Sequence, residues 1–157
     1  TYGVDPNRIG VGGGSAGAIT ALLMAYNNPA PEATPKVVLS YLGSMYGAQD
    51  LIQPGAAPAF IVGGMTDNVV PPSGSTDVAA RMNQVGVYNE LYMQPGVGHT
   101  VDYLMNFGGE PLIAHNMLFL ATYLVPEPTT WMLGALGLSG LLLAARGKLA
   151  AGRQRQR

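Results

Sequence analysis

The stretch that most constrains the fold is Gly13-Gly14-Ser15-Ala16-Gly17. The residues before it, Arg8–Val11, predict a short buried strand, and the apolar run Ala18–Tyr26 after it predicts a helix over Ala16–Tyr26. A G-x-S-x-G sequence between a strand and a helix is typical of a nucleophile elbow, a sharp turn that lifts a serine hydroxyl clear of a sheet. The serine backbone is strained in such a turn. We therefore expect glycines two positions to either side, Gly13 and Gly17, because they lack a Cβ.

The elements that follow predict an α/β fold. Apolar runs predict three further strands, and helical spacing predicts two further helices: strands at Val37–Leu42, Ala59–Gly63 and Tyr88–Met93, helices at Thr76–Val85 and Leu112–Leu124. Strands separated by helices in this way indicate a parallel sheet with flanking helices. Functional groups gather at the carboxyl ends of the strands in such sheets. The irregular segment Gly43–Pro58 is expected to form a rim or lid there.

Three of the predicted strand ends carry polar residues in the order serine, acid, histidine: Ser15, Asp67 and His99. A serine hydroxyl is a poor nucleophile at neutral pH, so it needs a neutral imidazole to take its proton and a carboxylate to fix the imidazole tautomer. His99 lies in a glycine-flanked loop after a strand, whereas the only other histidine, His115, lies within an apolar helix. We therefore expect His99 to be the base and His115 to be a packed or partly exposed helix residue.

The choice of Asp67 as the acid has an alternative. Asp67 lies in the loop directly after a predicted strand, but aspartate in such a loop often only caps a turn or the following helix. The other carboxylates fit the role less well. Asp77 is expected in the first turn of a helix, where it compensates the helix dipole. Asp50 lies in the irregular segment, and Asp102 follows His99 too closely to reach its far ring nitrogen.

The elbow glycines also fit a different kind of site. Gly12–Gly17 matches G-x-G-x-x-G, the fingerprint of dinucleotide-binding folds and hence of a nicotinamide-dependent oxidoreductase. That fingerprint requires an acidic residue at the end of the next strand, about 20 positions on, to bind a ribose hydroxyl. The next predicted strand ends in Ser40–Ser44 without a carboxylate, and Glu32 falls earlier. A purely structural role, in which the glycines allow close packing of helix on strand, is the remaining alternative.

The residues around the elbow resemble a known superfamily. Tyr2–Tyr26, with Asp5–Ile9 ahead of the G-x-S-x-G stretch, is similar to the esterase/lipase branch of the α/β-hydrolases. The resemblance continues through Phe60–Gly64 with Asp67 and through Gly98-His99. It covers about residues 1–124, which we predict to form the catalytic domain. The fold that it implies is the C-terminal part of the α/β-hydrolase sheet.

This resemblance implies a serine hydrolase, more narrowly a carboxylic-ester hydrolase that works through an acyl-enzyme and needs no cofactor. It implies that Ser15 is the nucleophile, Asp67 the acid and His99 the base, with the backbone N–H of Ala16 as one oxyanion donor. In the family the second donor comes from a loop after an earlier strand, often His-Gly-Gly-like. Because Thr1 runs almost directly into the nucleophile strand, we expect the C-terminal portion of a longer protein. A non-catalytic surface or binding protein, or an inactive fragment, is the alternative.

The last part of the chain differs from the rest in charge. Residues 1–125 carry three basic and eight acidic side chains, whereas residues 126–157 carry five basic and one acidic. Within the latter, Trp131–Ala145 is uncharged and is followed by a basic cluster, which predicts an apolar membrane helix with its basic end in the cytoplasm. Residues 125–157 are therefore expected to form a separate sorting or anchoring segment.

This segment also resembles a known signal. Pro126-Glu127-Pro128, followed by an apolar stretch and a terminal basic cluster, is similar to the PEP-CTERM sorting signal of Gram-negative bacteria. The resemblance implies export across the inner membrane, recognition by an exosortase and removal of the tail near Pro126–Pro128. The mature protein would then be periplasmic or on the outer surface. A permanent anchor is the alternative.

Composition excludes several other functions. The chain has no cysteine, which excludes disulfides, thiol catalysis and cysteine-ligated metals. Two distant histidines and scattered acidic residues offer no metal-ligand spacing, so no metal site is expected. An acidic body whose basic residues adjoin an apolar segment does not suit nucleic-acid binding. The expected partner in catalysis is a small-molecule or polymeric ester.

Overall fold

The computed structural model describes residues 3–27 and 34–125. The chain divides into two units between Val125 and Pro126, and everything described belongs to the first of them. The predicted sorting motif Pro126–Pro128 and the predicted membrane helix Trp131–Ala145 lie outside the described residues. Among the residues that are described, no helix is both long enough and apolar enough to cross a membrane.

Four parallel strands form the central sheet in the order β1-β2-β3-β4. Their bounds are Gly10–Gly14 for β1, Val37–Tyr41 for β2, Ala59–Gly64 for β3 and Asn89–Gln94 for β4. Because each pair of neighbours is parallel, the carboxyl ends of all four strands lie at one edge of the sheet. This edge receives the residues that follow each strand.

Three helices and a short hairpin complete the described part. The helices are α1 at Ala16–Tyr26, α2 at Pro72–Gln84 and α3 at Leu112–Leu124. The antiparallel hairpin consists of β5 at Asn106–Phe107 and β6 at Glu110–Pro111, directly before α3. The hairpin was not predicted, because two-residue strands are too short to produce an alternating pattern.

The sheet is covered on both faces. On one face, side chains of α1 and α2 pack with every second strand residue, as in the cluster of Leu22, Val38, Ile61 and Met82. On the other face, Leu112 and Phe119 of α3 pack on the alternate residues Val37, Phe60 and Val62. All six residues of β3 are buried, as expected for a strand with both faces covered. The predicted α/β fold, a parallel sheet with flanking helices, is confirmed.

Helix α2 differs from its prediction. It starts at Pro72, four residues before the predicted start at Thr76, with proline in the first turn where its missing N–H costs nothing. Gly74 is buried there, and a Cβ on it would lie 2.8 Å from the Cβ of Ser44 and 2.9 Å from the carbonyl oxygen of Gly43. The first turn of α2 has no acidic residue. The interpretation of Asp77 as a first-turn dipole partner is therefore wrong.

The segment Gly43–Pro58 is irregular, as predicted, apart from a 3-10 turn at Gln49–Leu51. It is not simply a rim. Met45 and Ile52 are buried and belong to the core between the sheet and helices α1 and α2, whereas Tyr46 is exposed. Part of the segment that we expected to be a rim or lid therefore belongs to the core.

Candidate active site

Ser15 occupies a strained turn between β1 and α1. Its backbone has φ 53° and ψ −121°, a combination that is costly for any residue with a Cβ. The turn is held by a hydrogen bond of 2.8 Å in which the Ser15 N–H donates to the carbonyl oxygen of Tyr41 in the neighbouring strand. Strand β1 thus remains paired up to the serine, and the chain then turns at once into the helix.

The two elbow glycines have different roles. A Cβ on Gly13 would lie 2.6 Å from the carbonyl carbon of Gly17, so Gly13 must lack a side chain for the helix to start where it does. A Cβ on Gly17, in contrast, would meet no atom within 4 Å among the described residues. The steric requirement that we expected at both positions is thus found at Gly13 alone. The backbone of Gly17 faces Gly13, whereas a Cβ on Gly17 would point away from Gly13.

Ala16 is the first residue of α1. The N–H groups of the first helical turn have no intrahelical acceptor, and the helix dipole places partial positive charge at this end. The N–H of Ala16 is therefore free of helix hydrogen bonding and lies next to Ser15 in the chain. These are the properties that an oxyanion donor needs.

The tertiary structure brings together the three polar residues that the sequence singled out. His99 Nε2 lies 2.8 Å from Ser15 Oγ, a residue 84 positions away in the chain. On the other side of the ring, His99 Nδ1 lies 2.8 Å from Asp67 Oδ2, 32 positions away. Ser15 follows β1, Asp67 follows β3 and His99 follows β4, so this cluster lies at the carboxyl edge of the sheet. A proton can pass between hydroxyl and imidazole over such a distance.

The surroundings of Asp67 favour its charged form. Asp67 is 5% exposed, and its Oδ1 accepts hydrogen bonds from the backbone N–H groups of Val69 at 2.8 Å and Val70 at 3.0 Å. Burial alone would raise the pKa of Asp67, but the hydrogen bonds from His99 and from these two N–H groups outweigh it and lower the pKa below its usual value. One carboxylate oxygen thus caps a turn, as in the alternative interpretation, while the other faces His99.

The loops that carry Asp67 and His99 are tied to each other. The N–H of Thr66 donates to the carbonyl oxygen of Val97 at 3.0 Å. At Gly64, the last residue of β3, a Cβ would overlap the carbonyl oxygens of Val97 and Gly98. No role for Gly64 was predicted from the sequence. The available signal was a glycine at the end of a fully buried strand, where such a residue often marks the close approach of another backbone segment.

His115 and the carboxylate of Asp102 have partners outside the cluster of Ser15, Asp67 and His99. His115 lies on α3, with its Nε2 2.6 Å from Glu90 Oε2 and its Nδ1 3.2 Å from Glu110 Oε1. Its ring packs against Phe60 and its side chain is 22% exposed, which agrees with the expected packed or partly exposed helix residue. The carboxylate of Asp102 accepts hydrogen bonds from the two N–H groups at Leu104 and Met105. Within residues 3–27 and 34–125, no group of three or more such residues could hold a metal ion.

No protein-family model and no curated protein matches the sequence. Several solved structures do. The chain is 23% identical to esterase PE8, with a TM-score of 0.60 over 78% of this chain and 53% of that one. It is 19% identical to the carboxylesterase Cest-2923 from Lactobacillus plantarum WCFS1, with a TM-score of 0.61 over 79% of this chain and 62% of that one.

A third match is esterase 2 from Thermogutta terrifontis phosphorylated by paraoxon, at 24% identity and a TM-score of 0.59 over 80% of this chain and 58% of that one. The chain thus spans between about half and three fifths of the length of these esterases. At this level of identity the matches establish the fold and leave the activity open. The described part of the chain has the α/β-hydrolase fold that these esterases share.

Proposed function

We propose that the full-length protein containing this chain is a serine hydrolase that cleaves carboxylic esters. The observation that carries the proposal is the continuous hydrogen-bonded path from the Asp67 carboxylate through the His99 ring to the Ser15 hydroxyl, with both contacts at 2.8 Å. The fold shared with several esterases supports it. The strained backbone of Ser15 supports it further, because such strain concentrates at functional sites.

The first half-reaction forms an acyl-enzyme. Neutral His99 accepts the hydroxyl proton of Ser15 at Nε2 while Ser15 Oγ attacks the ester carbonyl carbon. The carbonyl π electrons move to oxygen, and the N–H of Ala16 donates a hydrogen bond to the resulting oxyanion. The tetrahedral species then collapses, the bond to the alcohol oxygen breaks, and His99 gives its proton to the leaving alcohol.

The second half-reaction repeats these steps with water as the nucleophile. His99 accepts a proton from water, the hydroxide attacks the acyl carbon, and the proton returns to Ser15 Oγ as the carboxylic acid leaves. Throughout, Asp67 accepts the hydrogen bond from His99 Nδ1–H. This contact keeps Nε2 as the proton acceptor and stabilises the imidazolium that forms.

The test is loss of turnover on replacing the nucleophile. With a p-nitrophenyl ester as substrate, Ser15→Ala in the full-length protein should lower kcat by about 10⁶-fold, to the assay background. The matched control is Ser73→Ala, which removes a hydroxyl from an exposed position on α2. Undiminished turnover in Ser15→Ala would refute the assignment of the nucleophile.

Covalent labelling gives a second check that does not depend on the choice of ester. One structural neighbour is phosphorylated by paraoxon, so we expect paraoxon or a fluorophosphonate probe to add its mass to the peptide that contains Ser15. Ser15→Ala should remain unlabelled and Ser73→Ala should be labelled as the wild type is. A folded full-length protein that resists labelling would favour the non-catalytic alternative.

We further propose that residues 125–157 are a sorting or anchoring segment and that the enzyme acts outside the inner membrane. The support is the sequence pattern alone: Pro126–Pro128, then the uncharged stretch Trp131–Ala145, then a basic cluster. Mass spectrometry of the mature protein from its native host separates the two forms of the proposal. A C-terminus near Pro128 indicates removal by an exosortase-type enzyme, and retention of the stretch Trp131–Ala145 indicates a permanent membrane anchor.

A further inference from the structure

We infer that Gln94 is a positioning residue that holds the histidine loop, residues 95–101, in its reactive geometry. This inference rests on the proposed function. Gln94 is the last residue of β4 and is completely buried. Its side-chain Nε2–H donates to the carbonyl oxygen of Asp102 at 2.7 Å, and its Oε1 accepts from the N–H of Asp102 at 3.0 Å. Both partners belong to the backbone of a single residue, eight positions ahead.

This pairing closes the histidine loop at its base. An amide that bonds both the N–H and the C=O of one residue imitates the reciprocal pair of an antiparallel strand. Reversing the amide would place N–H against N–H and oxygen against oxygen, so only one orientation satisfies all four groups. His99 lies inside the loop that these two bonds close. Without them, residues 95–101 would be joined to β4 at one end only.

Gln94 also connects the two loops of the site. Its backbone carbonyl oxygen accepts a hydrogen bond of 3.0 Å from the N–H of Met65, which opens the loop that carries Asp67. The backbone of Gln94 therefore holds the acid loop, while its side chain holds the far end of the histidine loop. The distance between Asp67 and His99 depends on both attachments. A misplacement of about 1 Å in a reacting group can cost about 100-fold in rate.

The identity of the residue argues for this role over simple filling of space. Gln94 shares a face of β4 with Tyr92, which packs on Phe107 beside α3. An apolar side chain of similar length, such as methionine, would fill the same volume at that position. Glutamine, unlike methionine, can both donate to the carbonyl and accept from the N–H of Asp102.

The test uses two variants of the full-length protein. Gln94→Met keeps the volume and removes both hydrogen bonds, and Gln94→Leu removes both with a shorter side chain. In each, we expect kcat on a p-nitrophenyl ester to fall by about 10- to 100-fold, with KM within about twofold of wild type because no substrate contact is lost. Active sites are counted by fluorophosphonate titration, so that unfolded protein does not contribute. The low-field proton signal of His99 Nδ1–H should broaden or shift.

The matched control is Asn116→Leu. Asn116 is also a buried amide on this side of the sheet, but neither of its amide atoms has a hydrogen-bond partner among the described residues. We expect its kcat per titrated site to stay within about twofold of wild type, since no bond that holds the site is lost. If both Gln94 variants lower the melting temperature but keep wild-type kcat per titrated site and an unchanged His99 signal, Gln94 is purely structural and the inference is overturned.

The proposed function and this inference fail separately. A wild-type protein without turnover or labelling refutes the function. An active wild type with equally active Gln94 variants refutes only the positioning role.

Discussion

Replacing Asp67 by asparagine tests the arrangement of the site with the least disturbance of the fold. Asp67 Oδ1 accepts two backbone N–H groups, from Val69 and Val70, and Oδ2 faces His99 Nδ1. In Asp67→Asn the amide oxygen must take the Oδ1 position, because an NH₂ group there would face two N–H donors. The amide NH₂ is then directed at His99 Nδ1 and forces that nitrogen to be the acceptor.

The consequence is the wrong tautomer. With Nδ1 as acceptor, neutral His99 carries its proton on Nε2, which lies 2.8 Å from Ser15 Oγ and can no longer take the hydroxyl proton. The same substitution in a serine protease lowers kcat by about 10⁴-fold, a change of about 5.4 kcal/mol in the activation free energy. We expect a loss of this size. Both N–H donors keep their acceptor, so the free energy of unfolding should fall by only about 1–2 kcal/mol.

The assay is kcat on a p-nitrophenyl ester with saturating substrate, combined with thermal unfolding. The matched control is Asp102→Asn, in which another turn-capping aspartate loses its charge and keeps an oxygen for the N–H groups of Leu104 and Met105. We expect this control to retain kcat within about threefold, because its side chain does not contact His99. A folded Asp67→Asn protein with kcat within tenfold of wild type would refute the tautomer argument.

Three further predictions concern the elbow, the two histidines and acid stability. Gly13→Ala should abolish turnover or folding, because its Cβ would lie 2.6 Å from Gly17. Gly17→Ala should leave the melting temperature equal or higher, since alanine favours a helix by about 1 kcal/mol over glycine. Equal effects of the two substitutions would contradict the conclusion that only Gly13 must lack a side chain. His99→Ala should remove turnover. His115→Gln should lower the melting temperature and preserve kcat per folded molecule, because His115 contacts Glu90 and Glu110 instead of the serine. Loss of turnover in His115→Gln, with turnover preserved in His99→Ala, would show that His115 is the base. Because the pKa of Asp67 is lowered in the folded state, its charged form stabilises that state at pH values above the ordinary pKa of 3.8. This stabilisation is lost as the pH falls through the lowered pKa. Urea unfolding from neutral to acid pH should therefore show the advantage of wild type over Asp67→Asn shrinking below about pH 4, and a constant difference would contradict it.

Much of the fold follows from local patterns. Helices α1 and α3 have the bounds that their apolar runs predicted, Ala16–Tyr26 and Leu112–Leu124. Strand β3 stands out because all six of its residues are buried and apolar or glycine. Helix α2 was predicted too short because its first turn, Pro72–Ser75, has low helix propensity. Gly74 packs closely against Gly43 and Ser44 in that turn, and a local pattern does not contain such a contact.

Some features of the candidate site likewise follow from the sequence, and others depend on the folded chain. Chemistry and chain order indicate Ser15 and His99, since a serine nucleophile needs a base and only two histidines are available. They indicate Asp67 less firmly, because an aspartate in that loop could also have been only a turn cap. The different requirements at Gly13 and Gly17 depend on which way each Cβ would point at the start of the helix, and the motif does not contain that information. The roles of Gly64 and Gln94 likewise depend on backbone segments that meet only in the folded chain.

The sequence by itself determined the alternation of strands and helices, the elbow and the set of residues able to perform the chemistry, because these depend on residue types and on short-range spacing. Only the tertiary structure decided that Ser15 and His99, 84 positions apart, lie at hydrogen-bonding distance. It also decided that one oxygen of Asp67 caps a turn while the other faces the imidazole. Parallel pairing brings the ends of distant strands to one edge, and the hydrogen bonds between the loops there set the distances on which the proposed reaction depends.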